Sequence, residues 1–276
     1  MKYNDIPESH WYTIHLIELI CASLTLYVTI KTLIKSFDYF NYRLRVIQRL
    51  PIYISINYLL LSFFHSIDHF ISLTTSNPIS NIGCNILGFL VDISIYNNCI
   101  MIAFMAYIMW KTIIFKNHVK MGTYDWKLLL PSIIVIIIYA SIGNYDNIYG
   151  YAFCQHKNTL IYYGIPILIS YIICIFFWGY LMIYLFIYSR IKIRSYNNFD
   201  EQNIESQNKV KKFVFKIPQF ILIYIIEWLP YLVTSIYVHY NTLSENLLFG
   251  LILLSIICIM LGGFIFTITY EKILPY

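Results

Sequence analysis

The sequence predicts an all-α fold: a seven-transmembrane helix bundle with its N-terminus outside and its C-terminus cytoplasmic. Three observations predict it. Of 276 residues, 59% are hydrophobic and only 12% are charged, a balance that soluble domains rarely carry. Seven apolar segments each reach the roughly 20 residues that a helix needs to cross the hydrocarbon. The basic residues alternate between connections in the way that sets membrane orientation.

The spans fall at roughly 11–36, 44–73, 82–115, 125–143, 159–190, 213–240 and 245–270, and form one domain over 1–276. Ahead of span 1, MKYNDIPESH is polar, without a basic n-region or a small-residue cleavage site, so span 1 is read as retained. All seven runs are too long and too uniformly apolar for barrel strands, which leaves helices as the spanning element. The connections are short except for a polar stretch near 191–212.

Charge then gives the side. Lys31, Lys35, Arg43, Arg45 and Arg49 surround the first connection, and Lys111, Lys116, Lys120 and Lys127 the third. Around the fifth lie Arg190, Lys192, Arg194, Lys209, Lys211, Lys212 and Lys216, and Lys272 follows span 7. Only Lys2 and Lys157 remain for the opposite side, which is therefore the outer one. The net charge of +5 is thus a topology signal; it gives no reason to expect nucleic acid, and some of these residues can touch anionic headgroups.

Four of the six cysteines, Cys21, Cys99, Cys174 and Cys258, fall inside spans and read as small buried hydrophobes. Cys84 lies at the outer end of span 3 and Cys154 in the outer loop before span 5. Both face an oxidising compartment, so the expectation is a disulfide that pins the loop to span 3; the alternative is two unrelated thiols.

Local motifs add a family. Span 2 opens RLPIYISINYLLLS (49–62), span 4 carries Trp126 near its start, span 6 reads YIIEWLPYLV (224–233) and span 7 reads LGGFIFTITY (261–270). With the N-out topology and the paired cysteines, these resemble G-protein-coupled receptors, and in particular the cyclic-AMP-receptor-like branch of slime moulds and fungi. The topology match covers nearly the whole chain and the motif match about forty residues. Asn57 stands where that branch usually has an aspartate, Glu227 replaces its span 6 cysteine, and span 3 ends AYIMWKTIIF (106–115) with no Asp/Glu-Arg-Tyr. The resemblance implies a plasma-membrane receptor that passes an extracellular ligand's binding to a cytoplasmic heterotrimeric G protein, without catalytic residues or a cofactor.

Four acids lie within spans: Glu18, Asp68, Asp92 and Glu227. An acid in hydrocarbon costs about 2.5–3.5 kcal/mol, so each is a candidate site. One reading has them hydrogen-bonded to neighbours such as Tyr96, Asn97, Asn98 or Tyr231 for helix packing. The other has them line an outward-opening cavity for a cationic or hydrogen-bond-donating ligand. Asp92, about 12 Å below the outer surface by helix rise, favours the second. The expected ligand-binding set is Asp92, Tyr96, Glu227, Trp228, Tyr231, Asp68 and His65. Pro230 removes a backbone donor, so Trp228 and Pro230 are read as a hinge in span 6, with Glu227 either a titratable bias on it or a neutral acid bonded to another helix.

HSIDH (65–69) places His65 and His69 at i,i+4 beside Asp68, an acceptable zinc spacing. An intramembrane zinc hydrolase would need further histidines, and span 7 has none; the expectation is polar residues near the outer mouth and no metal, with a regulatory zinc or pH-sensing site as the alternative. Pro218-Gln219 is similar to the PQ motif of seven-span carriers, but no second copy and no internal repeat accompany it, so a transporter is the alternative reading. A retinal protein would need a mid-span lysine in span 7, and Lys272 is at the wrong end.

On the inner face, SRIKIRSYNNFDEQNIESQNKVKKF (189–213) has basic ends and an acidic polar middle. The ends are expected to extend spans 5 and 6 as helices and the middle to be mobile. Arg190, Arg194, Lys209, Lys211 and Lys212 are the expected G-protein-facing residues; topogenic charge alone also accounts for their position.

Overall fold

Once a helical turn is nucleated, each further residue adds one backbone hydrogen bond, and in hydrocarbon no water competes for it. The computed structural model accordingly consists of long helices: α1 (Glu8–Tyr39), α2 (Val46–Thr75), α3 (Asn81–Ile114), α4 (Trp126–Tyr145), α5 (Ile165–Arg194), α6 (Glu201–Tyr240) and α7 (Glu245–Glu271). The structure describes residues 8–39, 46–75, 81–115, 119–145, 154, 160–194, 201–240 and 245–271. No strand occurs among the described residues. Each helix contains a stretch long and apolar enough to cross a membrane, and the chain is a multi-pass membrane protein.

The helical extension expected ahead of span 6 is present and reaches further than expected, since α6 starts at Glu201. The acidic middle expected to be mobile is thus helical from 201 onward. Glu, Gln and Lys are good helix formers, and carboxylates at an N-terminus complement the helix dipole, so extending α6 costs little. Positions 190 and 194 lie in the last turns of α5, and positions 209, 211 and 212 in the third and fourth turns of α6. The α6 backbone also continues as helix through Pro218 and Pro230.

Helix α3 is central, touching α2, α4, α5 and α6, while α7 closes the bundle against α1, α2 and α6. Helix α4 is peripheral: Ile133, Ile134, Val135, Ile137 and Ile138 are all exposed, an apolar face suited to lipid. Between neighbours, hydroxyls replace the missing water. Thr25 donates to the Met260 carbonyl at 2.5 Å, and Thr29 and Thr267 lie 3.4 Å apart. The expected disulfide is present, joining Cys84 at the start of α3 to Cys154 ahead of α5.

Two local irregularities position side chains. A π-helical turn at Leu160–Gly164 precedes α5 and buries Tyr163 and Gly164; such turns often occur at functional sites. At the opposite end of the bundle, a short 3-10 turn at Thr123–Asp125 leads into α4, with Gly122, Tyr124 and Asp125 at φ of 82°, 53° and 57°. Gly122 is needed there, because a Cβ would come 2.4 Å from Trp126 Nε1. Left-handed backbone at Tyr124 and Asp125 persists only where the surroundings enforce it. Asp125 supplies the enforcement. Its carboxylate accepts from Arg49 Nε at 2.7 Å, from Arg49 Nη2 at 2.6 Å and from the Tyr53 hydroxyl at 3.1 Å.

Candidate functional site

All four acids expected inside the bundle are buried, and each has a partner from another helix or loop. Asp92 on α3 accepts from the Tyr163 hydroxyl at 2.5 Å. The π turn thus aims its buried tyrosine at the acid. Tyr163 also neighbours Tyr96 and Tyr231, with ring centroids 6.2 and 6.0 Å away, and Tyr231 meets Trp228 edge-on at 6.0 Å. Four of the seven expected ligand residues, Asp92, Tyr96, Tyr231 and Trp228, therefore belong to one polar–aromatic cluster spanning α3, the π turn ahead of α5, and α6.

Glu227 has a different setting. It accepts from the Tyr58 hydroxyl of α2 at 2.5 Å, and its side chain lies against the backbone of α7. A Cβ placed on Gly262 would come 2.4 Å from Glu227 Cγ, and one on Gly263 would come 2.7 Å from Tyr58 Cδ1. The Gly-Gly pair of span 7 is thus the recess that admits the acid and its donor. Small residues at a helix interface allow this close approach. Below, Phe266 packs on Tyr58 and Phe220 at 5.4 and 4.6 Å.

Around the expected hinge, Trp228 is fully buried and adjoins Glu227 in sequence, so it connects the two settings. In the turn before Pro230, the Tyr171 hydroxyl donates to the Ile225 carbonyl at 2.8 Å. Tyr224 and Ser170 lie 2.6 Å apart through their hydroxyls, and Tyr224 also reaches Cys99 Sγ at 3.2 Å. The α5–α6 and α3–α6 contacts thus include hydroxyl bonds that can exchange partners, set among apolar packing.

Asp68 and His65 lie elsewhere. Asp68 accepts the Cys154 backbone N–H at 3.2 Å and so anchors the disulfide loop on α2. His65 Nδ1 lies 3.0 Å from Glu18 Oε1 on α1, and His69 Nε2 lies 2.9 Å from Glu18 Oε2. The seven expected ligand residues therefore divide among three settings.

Sequence reasoning did not find Tyr163, Tyr58, Gly262 or the Arg49–Asp125 pair. The Gly-Gly step in an apolar span was a usable sign of close approach. Asp125 gave none, since its role depends on a loop conformation that sequence periodicity does not encode. The hydrogen-bond partners expected for the acids were Tyr96, Asn97, Asn98 or Tyr231; the bonds observed for Asp92 and Glu227 come instead from Tyr163 and Tyr58. Asn97 donates to Asn57 at 2.6 Å, joining α3 to α2.

Among solved structures, squid rhodopsin matches with a TM-score of 0.74 at 11% identity, over 97% of this chain and 84% of its own. The chain therefore has the seven-helix fold of squid rhodopsin, and identity this low speaks to fold alone. No protein-family model and no curated protein sequence matches the chain.

Proposed function

We propose that the protein is a seven-helix receptor of the plasma membrane that transmits an extracellular ligand's binding to a heterotrimeric G protein. The observation that carries this reading is the path from Asp92 through Tyr163 and Tyr231 to Trp228 and Glu227, which ends on the proline-containing part of α6. A ligand that competes for the Asp92 carboxylate displaces the Tyr163 hydroxyl and moves the ring against Tyr231. Trp228 then repacks, and the part of α6 before Pro230 swings relative to α3 and α5. The ligand-binding residues are Asp92, Tyr96, Trp228 and Tyr231, with Glu227 setting the balance between two positions of α6.

The disulfide supports placing its end of the bundle outside, because disulfides persist in oxidising compartments. The basic residues at the other end then face the cytoplasm. There, Arg190 and Arg194 on α5 and Lys209, Lys211 and Lys212 on α6 would meet an acidic patch of the G protein. The resemblance of RLPIYISINYLLLS and YIIEWLPYLV to the cyclic-AMP-receptor-like branch supports assigning the protein there.

The test is co-purification of the solubilised protein with heterotrimeric G proteins after nucleotide removal. The expected result is a complex that forms without nucleotide, dissociates on addition of a GTP analogue and is lost on Lys211→Glu/Lys212→Glu. Failure across a broad panel, with solute flux in proteoliposomes, would replace this reading with transport.

A further inference from the structure

The Glu18–His65–His69 cluster is unused by the proposed signalling path and has the chemistry of a metal site. We propose that these three residues bind a divalent cation of the zinc class, which ties α1 to α2 near the disulfide end of the bundle. This inference does not depend on the receptor reading.

The donor set is complete for three-coordinate protein ligation. His65 and His69 present Nδ1 and Nε2 from successive turns of α2, and Glu18 offers one carboxylate oxygen to each. One ligand atom from each residue can be chosen so that all lie within 4.8 Å of one another. Zinc held tetrahedrally by nitrogen and oxygen at about 2.0–2.1 Å spaces its ligand atoms roughly 3.3 Å apart. The observed 3.0 and 2.9 Å need to open by only a few tenths of an ångström. Three protein ligands leave a fourth position for water.

Orientation is also provided for. His69 turns its second nitrogen, Nδ1, to His15 Nδ1 at 2.5 Å, and Trp11 packs on the His15 ring at 4.3 Å. Metal-bound histidines are held in this way, with the far ring nitrogen hydrogen-bonded so that the near lone pair points at the ion. Asp68, next in sequence to His69, takes no part because it is engaged by the Cys154 backbone.

Charge and burial give the reason that a cation belongs there. Glu18, His65 and His69 are 3%, 5% and 0% exposed within a membrane-spanning pair of helices. A carboxylate in that setting needs a positive partner, and the described lysine and arginine side chains lie towards the other end of the bundle. A divalent ion neutralises the carboxylate and ligates two imidazoles at once. Two imidazoles select the zinc class over magnesium or calcium, which prefer all-oxygen sites.

The test is metal content of the full-length protein purified in detergent without chelator, followed by chelator stripping and titration with zinc or cobalt alone. The expected result is about one zinc per chain, re-uptake after stripping, and a tetrahedral cobalt spectrum on substitution. Glu18→Gln and His65→Ala should each weaken zinc binding at least tenfold, and His15→Ala about ten- to a hundredfold. His239→Ala, at an exposed position late in α6, should leave it unchanged. No retained metal and no cobalt spectrum would overturn the proposal, as would zinc binding indifferent to Glu18→Gln and His65→Ala. Should those variants fail to fold, X-ray absorption on the zinc-loaded wild type decides. Two imidazoles with an oxygen ligand support the site, and sulfur in the coordination shell overturns it.

Discussion

Asp125 and Glu227 are both fully enclosed carboxylates, and the protein treats them in opposite ways. Asp125, at the basic end, is gripped by both arms of the Arg49 guanidinium and by Tyr53, so its charge has a fixed counter-charge. Glu227, between α2, α6 and α7, has a neutral phenol for its donor and a glycine recess for its methylenes. A bidentate ion pair specifies one geometry and resists change. A carboxyl held by a single neutral hydroxyl can exchange partners or protonation at far smaller cost, which suits the proposed movement of α6, whose Pro230 lies one turn on. The first is an anchor for the α3–α4 loop, and the second, in the proposed receptor, is the point where two bundle states are biased.

The contrast is broken most severely at Arg49. Arg49→Ala leaves Asp125 buried without its counter-charge and should cost about 3–5 kcal/mol, read as a large fall in thermal unfolding temperature in detergent. Asp125→Asn in the same background should recover much of that loss, because the orphaned charge is then gone. A double-mutant cycle that shows no coupling between the two would remove the anchor from this account.

Next in size is Gly262→Ala. A Cβ there meets Glu227 at 2.4 Å, so overpacking should cost about 1–3 kcal/mol, and Glu227→Ala should relieve it. Additive losses in the double variant would mean that Gly262 does not serve Glu227. Tyr58→Phe should follow, at about 1–3 kcal/mol, because it removes the hydroxyl that Glu227 accepts from. In the receptor reading it should also raise basal nucleotide exchange on the G protein, whereas Arg49→Lys should not.

The smallest effect belongs to the Lys35–Glu271 pair, which joins α1 to α7 at the same end as Arg49 but leaves the lysine side chain 41% exposed. Lys35→Met should change stability by no more than about 1 kcal/mol. A loss comparable to that of Arg49→Ala would show that exposure does not separate the two ion pairs.

The seven helices were legible because hydrocarbon imposes a minimum length and a composition on every span, and because the positive-inside asymmetry is strong. The Cys84–Cys154 pairing was legible for a related reason: one cysteine fell at the outer end of span 3 and the other in the loop on that same side. The grouping of the acids was not. Helical periodicity places Asp92, Glu227 and Glu18 at depths along their own helices, but their partners Tyr163, Tyr58 and His69 come from other helices whose rotation the sequence does not fix. The π turn that aims Tyr163 and the left-handed turn that aims Asp125 are local backbone departures with no periodic signal. For α6, the helix reaches into the polar stretch because helix propagation from an existing span needs good helix formers more than it needs apolar ones.

The central claim is that the part of α6 before Pro230 moves while the Asp125 anchor holds its own end still. It is tested most directly by electron–electron distance measurements between nitroxides at Gln219 on α6 and Lys127 on α4, both exposed positions. The expected result is two distance populations whose balance shifts toward the longer on binding nucleotide-free G protein, and shifts the same way in Tyr58→Phe without any partner. A single distance, unchanged by the G protein and by Tyr58→Phe, would contradict it.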